Sequence, residues 1–150
     1  MGNGQWAMGD DGLSANDLDK APFGFEESEG SIADFRDLEV WKIGMKLAAA
    51  VYRATARFPR AELYGLTSQM RRASVSIPSN VAEGYGRTSG SYIQFLKIAL
   101  GSAKELETLV ELSAELGFLD SEPMQELKSA VQRVSRMLYG LIRAIEARRR

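Results

Sequence analysis

The chain has 150 residues, of which 45% are hydrophobic and 26% charged, values that are typical of one soluble globular domain. It contains neither cysteine nor histidine, which excludes disulfides, thiolate metal sites and the commonest general base near neutral pH. No apolar run approaches the roughly 18 residues of a membrane-spanning helix, and the first twenty residues lack a signal-peptide pattern. We therefore expect a cytoplasmic protein with no cofactor, no metal site and no enzymatic activity.

Charge divides the chain into two parts. Residues 1–33 contain seven acidic residues and one lysine, whereas residues 34–150 contain 18 bases and 13 acids. Six glycines interrupt the first part, and its aromatic residues follow no helical or strand spacing. The sequence predicts an acidic, disordered leader over residues 1–33, a helical domain over 34–147 and a basic tail over 148–150. The aromatic residues of the leader either stay in solvent or dock on the domain or a partner.

Apolar residues recur at steps of three and four along two successive segments, as on one face of an amphipathic helix. The first helix is predicted over residues 35–58, where Pro59 ends it, and the second from about Ala61 to Gly84. The predicted core positions of these two helices are Leu38, Trp41, Met45, Ala48, Tyr52 and Thr55, then Leu63, Leu66, Met70, Ala73 and Ile77. Pro78 has no amide to donate to the Ser74 carbonyl, so a kink or a change of helical segment is expected there.

Two longer helices are predicted in the second half of the chain. The third spans residues 91–116 with Gly117 as its cap, and the fourth begins at Asp120 or Ser121 with Pro123 in its first turn. Their predicted core positions are Tyr92, Phe95, Ala99, Ala103, Leu106, Val110 and Ser113, then Met124, Leu127, Val131, Val134, Leu138, Leu141 and Ile145. Four such helices with short connections predict an all-α, antiparallel up-down four-helix bundle.

The third and fourth helices carry more apolar residues than one seam requires. The additional apolar positions are Ile93, Leu96, Leu100 and Leu109, then Ala130, Met137 and Ile142. A globular bundle uses about three of every seven positions, which explains part of this excess. The rest favours burial against another subunit, because monomers rarely expose large apolar patches. The pattern therefore predicts a homo-oligomer.

Two motifs suggest a phosphate-binding or metal site, but a purely structural interpretation is favoured for each. The glycine-rich segment 83–90 lacks the Gly-Lys-Ser/Thr ending of a phosphate-binding loop and follows a helix, so we interpret it as a helix end and connection. Glu107, Glu111 and Glu115 share one helix face, but without histidine a metal or acid–base site is not favoured. We expect them to face solvent or to pair with Arg136 and Arg143 of the fourth helix.

Basic residues form a stripe on the first helix. Lys42, Lys46, Arg53, Arg57 and Arg60 fall within a sector of roughly 60° at about 100° per residue, turned away from the apolar face. Such a stripe is typical of a protein that contacts nucleic-acid phosphates, although a solvated helix face has the same pattern. The candidate nucleic-acid-binding residues are Lys42, Lys46, Arg53, Arg57, Arg71, Arg72 and Arg87. No residue is assigned a catalytic, cofactor-binding or metal-binding role.

A series of short motifs resembles a known family over roughly residues 34–145. In order, they are Phe35-Arg36-Asp37-Leu38-Glu39-Val40-Trp41, Phe58-Pro59, Glu62-Leu63-Tyr64-Gly65-Leu66, Gln69-Met70-Arg71-Arg72-Ala73, Ser76-Ile77-Pro78-Ser79-Asn80-Val81-Ala82-Glu83-Gly84-Tyr85-Gly86-Arg87, Phe95-Leu96-Lys97-Ile98-Ala99, Gly101-Ser102, Glu105-Leu106-Glu107-Thr108 and Leu116-Gly117-Phe118-Leu119. The chain is similar to the four-helix bundle family first described from intervening sequences within bacterial 23S ribosomal RNA genes. The stretch from Tyr64 to Arg87 is its most distinctive part.

The resemblance implies a bundle that assembles as a ring-shaped homopentamer without known enzymatic activity. Relatives include the accessory variability determinant proteins of diversity-generating retroelements, which are basic pentamers that bind nucleic acid and a reverse transcriptase. The implied partners are therefore RNA or DNA and a protein such as a reverse transcriptase. Two functions remain open. The first is an oligomeric scaffold that binds nucleic acid through its basic surface, and the second is a protein-interaction scaffold that recruits a partner through the acidic leader.

Overall fold

The computed structural model describes residues 34–150, so the predicted leader lies outside the described residues. Within residues 34–150 the chain forms four α-helices and two short 3-10 helices, with no strand. The α-helices are α1 (Glu39–Thr55), α2 (Leu66–Gly84), α3 (Ser89–Glu115) and α4 (Ser121–Arg148). The 3-10 helices are Phe35–Asp37, before α1, and Arg60–Glu62, between α1 and α2. The all-α class is therefore confirmed.

Successive helices pack in opposite directions. Arg71 near the start of α2 contacts Thr55 at the end of α1, whereas Pro78 further along α2 lies beside Gly44 nearer the start of α1. The same reversal relates α2 to α3 and α3 to α4. Helix α4 also packs against α1 and closes the bundle. The described residues thus form the predicted up-down four-helix bundle.

The first predicted helix is shorter than expected. Leu38 is extended and separates the 3-10 turn from α1, and α1 ends at Thr55 instead of residue 58. The Asp34 carboxylate accepts a hydrogen bond from the Arg36 amide, and the Asp37 carboxylate accepts one from the Asp34 amide. This capping box closes the 3-10 turn as an element of its own, which the apolar spacing alone does not reveal.

Helix α2 also differs from its prediction. It begins at Leu66 and not near Ala61, because the Glu62 carboxylate caps it by accepting a hydrogen bond from the Leu66 amide at 3.1 Å. It then continues through Pro78 without the expected change of segment. The proline ring is buried against α1 beside Gly44, and this packing helps to hold the helix together.

Helix α3 begins and ends within two residues of its predicted bounds, and α4 begins at the predicted Ser121. Gly117 has φ +79° and follows the end of α3, and the Phe118 amide donates to the Ser113 carbonyl at 2.8 Å in a Schellman-type cap. The predicted α4 seam is buried from Leu127 to Ile145. Most of the predicted α3 line is buried as well, and Phe95 is half-buried.

The core face of α1 was predicted only in part, because Leu38, Ala48 and Thr55 are buried as predicted but the rest of the line is not. Val40, Ile43, Leu47 and Val51 are buried in the core, whereas two of the predicted core residues, Met45 and Tyr52, are each 46% exposed and Trp41 is half-buried. Helix α1 carries two apolar lines about 100° apart around its axis, and periodicity cannot decide which one faces the other helices. Leu63, a predicted core residue of the second helix, lies before the start of α2 and is 49% exposed, also against the prediction.

The additional apolar positions of α3 and α4 lie inside this bundle. Ile93, Leu96 and Leu109 on α3 and Met137 and Ile142 on α4 are each at most 7% exposed. Ala130 is buried too, and Leu100 is partly buried against the core. The expectation that these lines require another subunit is therefore wrong, because a four-helix core uses a wide stripe of each helix. No helix within residues 34–150 is long and apolar enough to cross a membrane.

Candidate nucleic-acid interface

The outer side of α1 carries the predicted cationic stripe. Lys42, Lys46 and Arg53 fall within about 40° of one another around the helix axis, opposite the core line. Arg57 lies two residues beyond the end of α1, in the turn before the second 3-10 helix. All four side chains are exposed. The stripe is therefore present, although its last member is not helical.

Two of the candidate residues have acidic partners. The Lys42 ammonium lies 3.3 Å from the Glu39 carboxylate, and Arg87 pairs with the Glu83 carboxylate. Arg87 Nε also donates to the Glu83 carbonyl at 2.8 Å, and its guanidinium lies over the Phe95 ring, 4.9 Å from the ring centroid. Exposed ion pairs contribute little to stability, so a phosphate can replace either carboxylate. In the free protein, however, these two cations are neutralised.

Arg71 has a structural role. Its Nε donates to the Thr55 hydroxyl at 2.9 Å, a terminal nitrogen donates to the Tyr52 carbonyl at 3.4 Å, and the guanidinium lies 4.5 Å over the Tyr52 ring. These contacts hold the start of α2 beside the end of α1. They also bring the adjacent, exposed Arg72 to the same end of the bundle as Arg53 and Arg57.

Four candidate cations are thus free, and we call them the basic face: Lys46, Arg53, Arg57 and Arg72. Among residues 34–150, no side chain forms an ion pair with any of them. The basic face is therefore available to phosphates without the loss of an internal ion pair.

A cleft of about 650 Å³ lies beside part of the basic face, between the end of α1 and the start of α4. Arg53 and Arg57 line it together with Asp120 and Glu126. The two carboxylates lower the positive potential on this side. A phosphate chain is therefore expected to follow the outer side of α1 and not to enter the cleft.

The row of glutamates on α3 contacts α4, as expected. Glu107 accepts a hydrogen bond from the Gln132 amide at 2.9 Å, and Glu111 lies 2.6 Å from the Lys128 ammonium. The hydrogen bond to Glu111 raises the pKa of Lys128. Lys128 and Gln132 are thus two partners of this row that the sequence reasoning did not name. Within residues 34–150, no group of acidic side chains is arranged to hold a metal ion.

The glycine-rich segment 83–90 connects α2 to α3, as predicted. Gly84 is the last residue of α2, and Gly86 has φ +78°, a left-handed conformation that favours glycine. The Thr88 hydroxyl then caps α3 by accepting a hydrogen bond from the Ser91 amide at 3.4 Å. The segment is therefore a helix end followed by a short connection to the next helix.

A second surface was missed by the sequence reasoning. Trp41, Met45 and Tyr52 of α1 and Val75 and Pro78 of α2 line a groove of about 390 Å³ on the outside of the bundle. We call it the apolar groove. Its α1 residues are the line that was assigned to the core. The competing line Val40, Ile43, Leu47 and Val51 was the signal in the sequence that α1 has two apolar faces.

The fold and these surfaces define a helical-bundle protein with an apolar groove and with a basic face that has no ion pair among residues 34–150. The 23S rRNA-intervening sequence protein family matches residues 36–140, and the chain belongs to this family. The resemblance seen in the sequence is therefore confirmed.

A solved structure of a related bundle shows the same fold. It is the crystal structure of a protein of unknown function from the S23 ribosomal protein family of Bacteroides thetaiotaomicron, with a TM-score of 0.61 and 20% identity. The alignment covers 69% of this chain and 97% of that chain. No curated protein sequence matches this chain.

Proposed function

We propose that this chain is a non-enzymatic, oligomeric scaffold protein that binds the backbone of RNA or DNA through the basic face, in the cytoplasm. The observation that carries the proposal is a set of four exposed cations, three on the outer side of α1 and its end and Arg72 on α2 at the same end of the bundle as Arg53 and Arg57, that have no acidic partner among residues 34–150. The family was named for proteins associated with 23S rRNA intervening sequences, which favours RNA as the nucleic acid.

Phosphate contacts of this kind have a measurable signature. Each neutralised phosphate releases counterions, so the logarithm of the binding constant falls with the logarithm of salt concentration by about 0.7 to 0.9 per contact. Four contacts predict a slope of roughly −3 to −4 for one subunit. Such binding is weak in a monomer. An oligomer repeats the basic face and adds the contacts through multivalency, which is why the proposal includes self-association.

Filter binding of the full chain to a structured RNA across a salt series tests the proposal. Arg53→Gln combined with Arg57→Gln should reduce the magnitude of the slope by about 1.4 to 1.8. The matched control, Lys97→Gln combined with Arg143→Gln, removes the same charge from exposed positions outside the basic face and should leave the slope nearly unchanged. Equal slopes for the two double variants, or no binding at about 50 mM salt, would contradict the proposal.

The oligomer is tested separately. We expect native mass spectrometry or sedimentation to give a homopentamer, the assembly that the family resemblance implies. A protein that remains monomeric at micromolar concentration would contradict the scaffold part of the proposal. It would leave the salt dependence of nucleic-acid binding as an independent result.

A second function rests on the charge difference between the leader and residues 34–150. In this alternative, the acidic leader recruits a basic protein partner and nucleic acid has no role. Deletion of residues 1–33 separates the two. Loss of seven acids should tighten RNA binding if the basic face is the functional surface. If the leader is the functional surface instead, the same deletion should abolish capture of the partner protein.

A further inference from the structure

Tyr64, in the connection between α1 and α2, is the most exposed large hydrophobic residue among residues 34–150, at 92%. The adjacent Leu63 is 49% exposed, and the other exposed tyrosines of this part of the chain, Tyr52 and Tyr139, reach only 46% and 44%. No ring contact, hydrogen bond or ion pair among residues 34–150 involves the Tyr64 side chain. The ring therefore has no part in holding the bundle together.

The backbone on either side of Tyr64 is fixed by hydrogen bonds. The Leu63 amide donates to the Arg60 carbonyl at 3.1 Å, and the Gly65 amide donates to the Glu62 carbonyl at 3.0 Å. The Glu62 carboxylate then caps α2 directly after this turn. An exposed ring on a turn of this kind is held ready for a ligand, so little conformational entropy is lost when it binds one.

Two cations without an acidic partner belong to the same connection. Arg57 and Arg60 are exposed, and neither forms an ion pair among residues 34–150. The turn that the Leu63 amide closes keeps Arg60 Cα within about 11 Å of Tyr64 Cα. The only acid of the connection, Glu62, is engaged in capping α2. A polyanion bound to these arginines therefore passes beside the exposed ring.

The combination of one ring with free arginines indicates which kind of molecule covers it. A stable contact with another protein chain buries about 1,200–2,000 Å². The tip of the connection offers only Tyr64 and Leu63, and such a contact would have to desolvate the arginines beside them. A nucleobase needs only one exposed ring to stack on, and the phosphates next to it pair with arginines. Bases in a duplex are stacked on their neighbours, so only an unpaired base can meet the ring in this way.

We propose that Tyr64 stacks on an unpaired base of a single-stranded RNA segment while Arg57 and Arg60 bind the adjacent phosphates. This inference rests on the proposed function, because the basic face brings the strand to the connection, and it adds the kind of nucleic acid that is preferred. Loops, bulges and single strands are then bound more tightly than duplexes. Every base has a face that can stack, so no sequence preference follows from Tyr64.

Binding of the full chain to two RNA probes at about 50 mM salt tests the inference: an oligouridylate of about 20 nucleotides and a blunt-ended duplex of about 20 base pairs. Tyr64→Ala should weaken binding to the oligouridylate about 5- to 150-fold and change binding to the duplex less than about twofold. Tyr64→Phe keeps the ring and should bind the oligouridylate as the parent does. The matched control, Tyr139→Ala, removes an exposed tyrosine from α4 and should leave binding to both probes unchanged.

The outcomes separate this inference from the proposed function. The ring carries no charge, so Tyr64→Ala should retain the salt dependence of the parent on the oligouridylate. Equal affinities of Tyr64→Ala and Tyr139→Ala for the oligouridylate, or equal losses by Tyr64→Ala on both probes, would overturn the inference alone. Failure of the parent to bind either probe would overturn the proposed function as well. Native mass spectrometry of Tyr64→Ala tests the competing occupant, since a smaller assembly than that of the parent would show that another copy covers the ring and that the inference is wrong.

Discussion

The end of α2 meets the first turn of α3 at Gly84, where the two helices approach very closely. A methyl group added at Gly84 would lie 2.7 Å from Phe95 Cβ and 2.8 Å from Tyr92 Cδ2. Carbon atoms in contact are normally about 3.5–4.0 Å apart. The Tyr92 side chain is fully buried and has little room to move. We therefore expect Gly84→Ala to push α2 and α3 apart and to destabilise the bundle.

The size of the effect follows from two opposing contributions. Overpacking a filled core costs about 1–3 kcal/mol, and alanine regains up to about 1 kcal/mol over glycine in a helix interior. The gain is smaller at Gly84, the last helical residue. The net loss of unfolding free energy is therefore about 1–2 kcal/mol. The control is Gly101→Ala in the middle of α3, where an added methyl meets nothing within 4 Å and about 0.5–1 kcal/mol should be gained.

Urea denaturation followed by circular dichroism measures both variants against the parent. All three are compared at one protein concentration, because self-association would make stability depend on concentration. The same substitution should then shift the midpoint in opposite directions at the two positions. A Gly84→Ala variant as stable as the parent would refute the reasoning, since it would mean that the α2–α3 contact relaxes without cost.

Three further outcomes are expected. Arg71→Ala should lower the free energy of unfolding by about 1–2 kcal/mol, because it breaks a hydrogen bond to the buried Thr55 hydroxyl. Arg72→Ala should lower it by less than about 0.5 kcal/mol. Equal losses of the two variants in urea denaturation would contradict the structural role of Arg71. Glu62→Ala removes the cap of α2 and should cost about 1 kcal/mol in the same assay. Burial raises the pKa of Tyr92 above its ordinary value of 10.0, so the folded state retains the hydroxyl proton to a higher pH than the unfolded state. Stability should fall as the pH rises above 10, and thermal melts of Tyr92→Phe should show a smaller fall.

Helices α3 and α4 were predictable because their sequences leave few alternatives. The α4 seam repeats at steps of three and four from Leu127 to Ile145. Gly117 and Pro123 mark the connection between the two helices by local backbone preferences. Such signals act within a few residues, so the linear sequence contains them.

The beginnings of α1 and α2 were less predictable because they depend on side-chain caps that the apolar periodicity does not show. The Asp34 and Asp37 carboxylates close a separate turn before α1, and the Glu62 carboxylate caps α2 at Leu66, about five residues further on than expected. Periodic apolar residues continue on both sides of these caps. The pattern therefore predicted the helices but placed their first residues too early.

The candidate nucleic-acid interface was predicted only in outline. The common side of Lys42, Lys46 and Arg53 follows from helical spacing alone. Spacing does not reveal that Arg71 bonds to Thr55 or that Arg87 pairs with Glu83. Those contacts depend on which groups lie within reach after folding, and they separate free cations from engaged ones.

The sequence by itself determined the all-α class, the number of helices and the absence of cysteine and histidine chemistry, because these follow from composition and local periodicity. Tertiary structure alone decided which of two apolar lines on α1 became core. It buried the additional apolar lines of α3 and α4 and left Met45 and Tyr52 in an open groove. The physical reason is that burial is a property of neighbouring helices and not of one helix. A stripe becomes core only when three other helices pack against it.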